Sequence, residues 1–169
     1  ELKLEGRVVL VTGARQGNGK AIADYLENLG AVIVRTDIQE EEGLVRMDVT
    51  DEDSVANAMQ GVWKEHGRLD ILVNNAGIIY KADIPEIDVP SWRKVMDINV
   101  TGPVICTKHA ARLMKENRWG RVINISSVQA LIATETYSAY SASKAALSHL
   151  THLWAKELAP WNITVNALC

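Results

Sequence analysis

The chain has 169 residues, of which 47% are hydrophobic and 23% are charged, and its formal net charge is −3. This length is enough for one domain with a buried core, and the composition is typical of a globular protein. The charge balance excludes a strongly basic surface, so we predict no nucleic-acid or membrane partner. No apolar run approaches the roughly 20 residues that a membrane-spanning helix needs.

The first residues and the cysteines indicate the compartment. The start, Glu1-Leu2-Lys3-Leu4-Glu5-Gly6-Arg7, is too charged to be the apolar core of a signal peptide. Cys106 and Cys169 lack metal-ligand spacing and make a poor disulfide framework. We therefore expect a reduced, cytoplasmic setting and no metal site.

Short β-branched runs alternate with longer helical patterns along the whole sequence. The strands are predicted at residues 7–12, 31–34, 45–47, 69–73, 121–125 and 162–167, and the helices at residues 17–29, 51–66, 91–117 and 139–158. This alternation predicts a single α/β domain over residues 1–169, with a doubly wound Rossmann-type parallel sheet in the strand order 3-2-1-4-5-6. Ligands of such sheets bind beyond the carboxyl ends of the strands.

The first predicted strand runs into a glycine-rich turn directly before a helix. Glycines let the backbone approach a pyrophosphate, which the free N–H groups and dipole of the helix N-terminus attract. The alternative is a turn that needs only positive φ, but three glycines in so short a loop favour a dinucleotide. The spacing Gly-x-x-x-Gly-x-Gly differs from the commoner Gly-x-Gly-x-x-Gly. The predicted cofactor contacts of this turn are Gly13, Arg15, Gln16, Gly17, Asn18 and Gly19.

An acidic residue follows the second predicted strand and bears on the choice of cofactor. The carboxylate of Asp37 can accept hydrogen bonds from ribose hydroxyls and would repel a 2′-phosphate, which favours NAD over NADP. The alternative is a solvated acid in a turn. Arg15 and Arg35 keep NADP open, since a guanidinium suits a 2′-phosphate.

Tyr140 and Lys144 lie four residues apart near the start of a predicted helix. Residues at this spacing share a helical face, so the phenol and the ammonium can point into one cleft. A phenol has a pKa of ~10 in water, and a nearby cation favours the phenolate. An ordinary surface pair can have the same spacing, so the pair alone does not decide.

Several short motifs occur in one order and carry a family resemblance. The motifs are Thr12-Gly13-Ala14-Arg15-Gln16-Gly17-Asn18-Gly19, Asn74-Asn75-Ala76-Gly77, Asn99 in Met96-Asp97-Ile98-Asn99-Val100, Ser126-Ser127, and Tyr140 with Lys144. Together the series closely resembles the short-chain dehydrogenase/reductase family, in its single-domain branch, over about residues 4–169.

The resemblance implies the residues of the active site. Ser127 is preferred to Ser126 because its spacing to Tyr140 matches the family, and Tyr137 is rejected because Ser141 stands where its lysine should be. The implied catalytic tetrad is Asn99, Ser127, Tyr140 and Lys144.

The resemblance also implies further cofactor contacts. Asp48 and Val49 match the pair that flanks the adenine, while Asn74 is expected to brace neighbouring strands. The remaining implied contacts are Asn75, Ala76, Gly77, Tyr140 and Lys144.

The mechanism that follows moves a hydride and a proton. Tyr140 would take the proton of a substrate hydroxyl in oxidation and return it in reduction. Ser127 would hydrogen-bond the substrate oxygen, Lys144 would hold the nicotinamide ribose, and Asn99 would position a water in a proton relay.

Three functions are weighed on this basis. The leading prediction is an NAD-dependent dehydrogenase of a small alcohol, ketone or polyol. The alternative is an NADPH-dependent carbonyl or 3-oxoacyl thioester reductase. An alternative of another class is a non-catalytic nucleotide-sensing protein on the same fold.

Two departures from the family pattern stand out. Only ten residues separate Asp37 from Asp48, so the crossover is either a bare loop with Glu40-Glu41-Glu42-Gly43 at its tip or lacks a mobile segment. The sequence ends at Cys169, where family members continue with a substrate loop, a helix and a last strand. We therefore expect a C-terminally incomplete chain, with an unpaired sheet edge and exposed apolar surface.

The two longest predicted helices are apolar on more than one face. In the family they form a four-helix interface, so a homo-tetramer or homo-dimer is expected. The alternative is burial of Trp154 within its own domain. The expected substrate pocket mixes apolar and polar residues, namely Ile79, Gln129, Leu131, Ala133 and Glu135.

Overall fold

The computed structural model describes residues 3–169; the first two residues of the predicted 1–169 domain and of the charged start lie outside the described residues. Six parallel strands form one sheet in the order β3-β2-β1-β4-β5-β6, which confirms the predicted order. The strands are β1 (Val8–Thr12), β2 (Val32–Asp37), β3 (Val45–Arg46), β4 (Ile71–Asn74), β5 (Gly120–Ile125) and β6 (Ile163–Leu168).

Five α-helices connect these strands, and between residues 3 and 169 none is long and apolar enough to cross a membrane. The second helix begins where Asp51 accepts hydrogen bonds from the backbone N–H groups of Asp53 and Ser54, at 3.0 and 3.3 Å. The helices are α1 (Gly17–Asn28), α2 (Glu52–His66), α3 (Val89–Met96), α4 (Gly102–Glu116) and α5 (Ser138–Leu158).

The predicted long helix over about residues 91–117 is helical throughout, but a π-helical turn at Asp97–Thr101 divides it into α3 and α4. Pro103 has no N–H to donate to the carbonyl of Asn99, so the regular i→i−4 ladder cannot pass this point. The N–H of Gly102 instead bonds the carbonyl of Asp97, five residues back. The wider turn places Asn99 in the interior, fully buried.

The side chains of the central strands alternate between two apolar layers. Val8 and Leu10 pack with α2 and α4, while Val9 and Val11 pack with α1. Trp154 of α5 is partly buried against the first of these layers, so this ring packs within its own chain.

The α1 face of the sheet is partly uncovered beside β5 and β6. An apolar groove of about 610 Å³ lies there, lined by Leu26, Val73 and Ile125 together with Leu168, which is 57% exposed. The strand β6 forms an edge of the described sheet.

The connection from β2 to β3 is a loop without a helix. On the α1 side of β2, the guanidinium of Arg35 lies 3.0 Å from a carboxylate oxygen of Asp24 and 2.9 Å from one of Glu27. The hydrogen bond to Glu27 is the main cause that raises the pKa of Arg35. This ion-pair network ties β2 to α1 beside the short loop.

Candidate active site

The carboxyl ends of β1, β4 and β5 open into one cavity of about 500 Å³. Most of the predicted site residues meet there, although they come from five separate stretches of sequence. The lining consists of Gly13, Gln16, Gly17, Asn18, Asp37, Asn75, Ala76, Gly77, Ile79, Ile125, Ser126, Ser127, Tyr140 and Lys144.

A smaller cavity of about 200 Å³ adjoins it, and the two share Gly13, Asp37, Ala76 and Gly77. Val49 lines this smaller cavity. The predicted neighbour Asp48 lies instead on a groove of about 530 Å³ between β2, β3 and α2, where its carboxylate accepts hydrogen bonds from the N–H and hydroxyl of Thr50.

The glycine-rich turn is fixed to the chain that follows β4. The hydroxyl of Thr12 accepts hydrogen bonds from the N–H groups of Asn75 and Ala76, both at 3.0 Å. The side-chain amide of Asn75 donates to the carbonyls of Thr12 and Gly13, at 3.0 and 3.1 Å. Thr12 is a contributor that the sequence prediction missed, although it opens the motif.

Two glycines keep the turn free of side chains. A Cβ on Gly19 would overlap the carbonyl of Gly13 and the amide of Asn75, so α1 can begin this close to the turn only with glycine. Gly17 has φ +55, and a Cβ there would meet open space on the cavity side. The cradle therefore fits a pyrophosphate at the N-terminus of α1.

Asp37 stands at the end of β2 and lines both cavities. Its carboxylate accepts hydrogen bonds from the N–H groups of Arg15 and Gln39, at 3.4 and 3.1 Å. The Nε of Arg15 is buried and has no hydrogen-bond partner within residues 3–169. Arg35 points away, paired with acids of α1. Of the two arginines considered for a 2′-phosphate, Arg35 is thus engaged by acids of α1, whereas Arg15 keeps a side-chain donor without a partner in the described residues.

Lys144 is almost fully buried beneath Tyr140. Its ammonium donates to the carbonyl of Ile125 at 2.7 Å and lies 5.7 Å from the centre of the Tyr140 ring. Burial lowers the pKa of Lys144 to about 8. The predicted shared helical face is present, and both side chains line the cavity.

The buried side chain of Asn99 links the segment after β4 to α5. Its carbonyl oxygen accepts the N–H of Ile78, and its amide donates to the carbonyl of Ile78 and the hydroxyl of Ser143, all at 2.9 to 3.0 Å. Ser143 in turn donates to the carbonyl of Tyr140 at 2.7 Å. Ser143 was missed from the sequence, although its place directly before Lys144 was a usable signal.

The two serines after β5 have different surroundings. The hydroxyl of Ser126 is buried and bonds the carbonyl of Lys144 and the hydroxyl of Ser148, at 3.2 and 2.7 Å. Ser127 lines the cavity, and its hydroxyl accepts the N–H of Gln129 at 3.2 Å. Ser126 therefore holds α5 to β5, while Ser127 is available to a ligand.

Asn74 is buried between strands, as expected. Its amide donates to the carbonyl oxygen of the Asn124 side chain at 2.8 Å and to the hydroxyl of Thr107 at 3.1 Å. It braces β4 against β5 and α4 and does not line the cavity.

The burial of Lys144 leads to a prediction about stability. An unfolded lysine keeps its proton up to about pH 10.5, whereas the folded one loses it near pH 8, so the unfolded state binds more protons between these values. The free energy of unfolding should therefore rise with pH across that interval. The free energy of unfolding of the native chain, minus that of Lys144→Met, should increase by on the order of 2 kcal/mol between about pH 7.5 and about pH 9.5. Urea unfolding of both proteins at each pH measures this difference.

The comparison with the variant removes the effect of other groups. Burial raises the pKa of the Cys106 thiol to about 12. This shift lowers the free energy of unfolding as the pH rises, and it does so equally in the native chain and in the variant. Parallel pH profiles for the two proteins would show that Lys144 is not desolvated.

Comparison with known proteins agrees with this fold, which is that of a Rossmann-type oxidoreductase. The family described as short chain dehydrogenase matches residues 7–169. The chain therefore belongs to the short-chain dehydrogenase/reductase family, whose members use NAD(P).

The relatives are named for different activities. The chain is 42% identical over 177 residues to cis-4-hydroxycyclohexanecarboxylate dehydrogenase of Sinomonas cyclohexanicum, covering 96% of the chain and 71% of the relative. It is 36% identical over 184 residues to the 3-oxoacyl-[acyl-carrier-protein] reductase of Aquifex aeolicus, covering 99% and 74%. The ligand-free aldohexose dehydrogenase of Thermoplasma acidophilum superposes with a TM-score of 0.93 at 37% identity, covering 98% of this chain and 66% of that one.

Proposed function

We propose that the protein transfers a hydride between NAD(H) and an alcohol or ketone, with Tyr140 as the general acid and base. The observation that carries this proposal is that Tyr140, Lys144 and Ser127 line the same cavity as the glycine-rich turn and Asp37. A dinucleotide in this cavity would have its pyrophosphate at the turn, and its two ends would reach Asp37 and Tyr140.

The bound nicotinamide supplies the redox chemistry, because its ring accepts or gives the hydride. The residues of this chain hold the cofactor and polarise the reacting oxygen of the substrate. Asp37 offers carboxylate oxygens to ribose hydroxyls, and Val49 contributes to the apolar wall of the adjoining cavity. The cradle of Gly13, Gly17 and Gly19 leaves room for phosphate oxygens.

Proton transfer falls to residues of α5 and the end of β5. Tyr140 exchanges the proton of the substrate oxygen, and the Lys144 ammonium lies 5.7 Å from the centre of its ring. Ser127 donates a hydrogen bond to the same oxygen and stabilises its developing charge. Asn99 acts through Ile78 and Ser143, the neighbours that it holds in place.

Two features support NAD over NADP. The guanidinium of Arg35 is paired with Asp24 and Glu27 and is not directed at the cavity. Asp37, in contrast, lines the cavity. The alternative, an NADPH-dependent 3-oxoacyl thioester reductase, is supported by the Aquifex aeolicus relative and by the unpartnered Nε of Arg15.

A screen with the full chain tests the proposal. Cyclic alcohols, polyols and the matching ketones are offered with NAD(H) and, separately, with NADP(H), and the nicotinamide absorbance is followed. We expect turnover with NAD or NADH. Turnover confined to NADP(H) and an acyl thioester would favour the reductase, and nucleotide binding without turnover of any compound would favour a sensing role.

A further inference from the structure

A lysine lies at the rim of the active site on the chain that follows β4. The ammonium of Lys81 sits 4.5 Å from the centre of the Tyr137 ring, which meets the Tyr140 ring edge to face at 6.2 Å between centres. The two distances together put the Lys81 ammonium no more than 10.7 Å from the centre of the Tyr140 ring. A positive charge therefore stands one aromatic ring away from the proton-transferring residue.

The backbone around Lys81 is fixed to the elements that build the site. Ile78, three residues earlier, exchanges two hydrogen bonds of 2.9 Å with the side chain of Asn99. Ala82, the next residue, donates its N–H to the carbonyl of Thr136 at 2.9 Å. Asn99 is bonded in turn to Ser143 of α5, and Thr136 lies just before α5, so the fold sets the position of the Lys81 backbone relative to Tyr140.

The charge of Lys81 is not neutralised within the described part of the chain. No carboxylate there forms an ion pair with it. Asp83 and Glu135, the acidic residues on the two neighbouring segments, are both exposed and make no such pair. The Tyr137 ring attracts the ammonium through its face but leaves its N–H donors free.

The segment that joins Lys81 to the cavity carries an apolar side chain. Ile79, two residues before Lys81, lines the cavity and is 58% exposed. Exposed apolar side chains beside a cavity suit a hydrocarbon skeleton. A substrate that matches the rim would thus have an apolar body with an anionic group at its far end.

We propose that Lys81 determines substrate specificity by binding the carboxylate of a hydroxy acid, or of the corresponding oxo acid, whose carboxylate is remote from the reacting carbon. This inference rests on the proposed function. The ammonium lies over Tyr137 and not over Tyr140, so the carboxylate that it binds is separated from the reacting oxygen by the body of the substrate. A neutral alcohol of the same shape lacks this ion pair.

The test compares two probes that differ only in charge, cis-4-hydroxycyclohexanecarboxylate and its carboxamide, with NAD. We expect the native chain to prefer the acid by about 10- to 100-fold in kcat/KM, the ratio that one charged hydrogen bond provides. Lys81→Met should lose this preference mainly through KM and should oxidise the carboxamide as the native chain does. Lys81→Arg should retain most of it, and Lys64→Met, which removes an exposed lysine of α2, should change neither probe.

The outcomes separate this inference from the proposed function. Equal use of acid and carboxamide by the native chain, or an equal loss for both probes in Lys81→Met, overturns the role of Lys81 while the dehydrogenase activity stands. Oxidation of other alcohols without either probe also overturns it. Failure of every alcohol and ketone in the broad screen overturns the proposed function itself.

Discussion

Replacement of Tyr140 by phenylalanine is expected to lower kcat by roughly 10²- to 10⁴-fold, the range attributed to general acid–base catalysis. The phenyl ring keeps the edge-to-face contact with Tyr137 and the packing over Lys144, so NAD should bind with nearly the native Kd. Steady-state kinetics give the first quantity, and titration of the binary complex gives the second.

Tyr137 provides the matched control. It lies on the same helix end, one turn earlier, but the residue four positions later is Ser141 and not a lysine. Tyr137→Phe should keep kcat within about threefold, since its hydroxyl has no part in the proton transfer. Substantial turnover by Tyr140→Phe would remove Tyr140 from the proposed role.

The second large effect is expected for the choice of cofactor. Asp37→Ala removes the carboxylate that would accept the ribose hydroxyls and repel a 2′-phosphate, and Arg15 nearby has a buried Nε without a partner. The NAD over NADP preference in kcat/KM should fall by roughly 10- to 100-fold, because charged hydrogen bonds contribute about 1.5–3 kcal/mol.

A neighbouring acid supplies the control for charge alone. Glu42 lies in the loop between β2 and β3, is exposed, and can be replaced by alanine with the same change of net charge. The ratio of NAD to NADP efficiency should remain native in Glu42→Ala. An unchanged ratio in Asp37→Ala would mean that this acid does not contact the ribose.

Much of the fold was accessible from sequence periodicity. The run from Val8 to Thr12, apolar at successive positions, predicts a central parallel strand, and the alternation of strands with helices predicts the observed strand order. The sequence placed the end of the second strand at Arg35-Thr36-Asp37, and Thr36 and Asp37 pair there with β3. The turn around Asn99 was not anticipated, although Pro103 signals it.

The candidate site also has features that the sequence predicts and contacts that it does not. Spacing along one helix was enough to predict that Tyr140 and Lys144 share a face. The bond from Lys144 to the carbonyl of Ile125 and the bonds of Asn99 to Ile78 and Ser143 link residues distant in sequence. Such contacts depend on how elements pack, so no local pattern predicts them.

The central claim is that one dinucleotide extends from Asp37, past the glycine-rich turn, to Tyr140 and Lys144. A crystal structure of the full chain with NAD tests this claim most directly. We predict adenosine ribose hydroxyls on Asp37, pyrophosphate at Gly13–Gly19, and the nicotinamide ribose on Lys144 with its ring facing Tyr140. A nucleotide bound elsewhere, for example in the groove between β3 and α2, or one whose nicotinamide faces away from Tyr140, would contradict it.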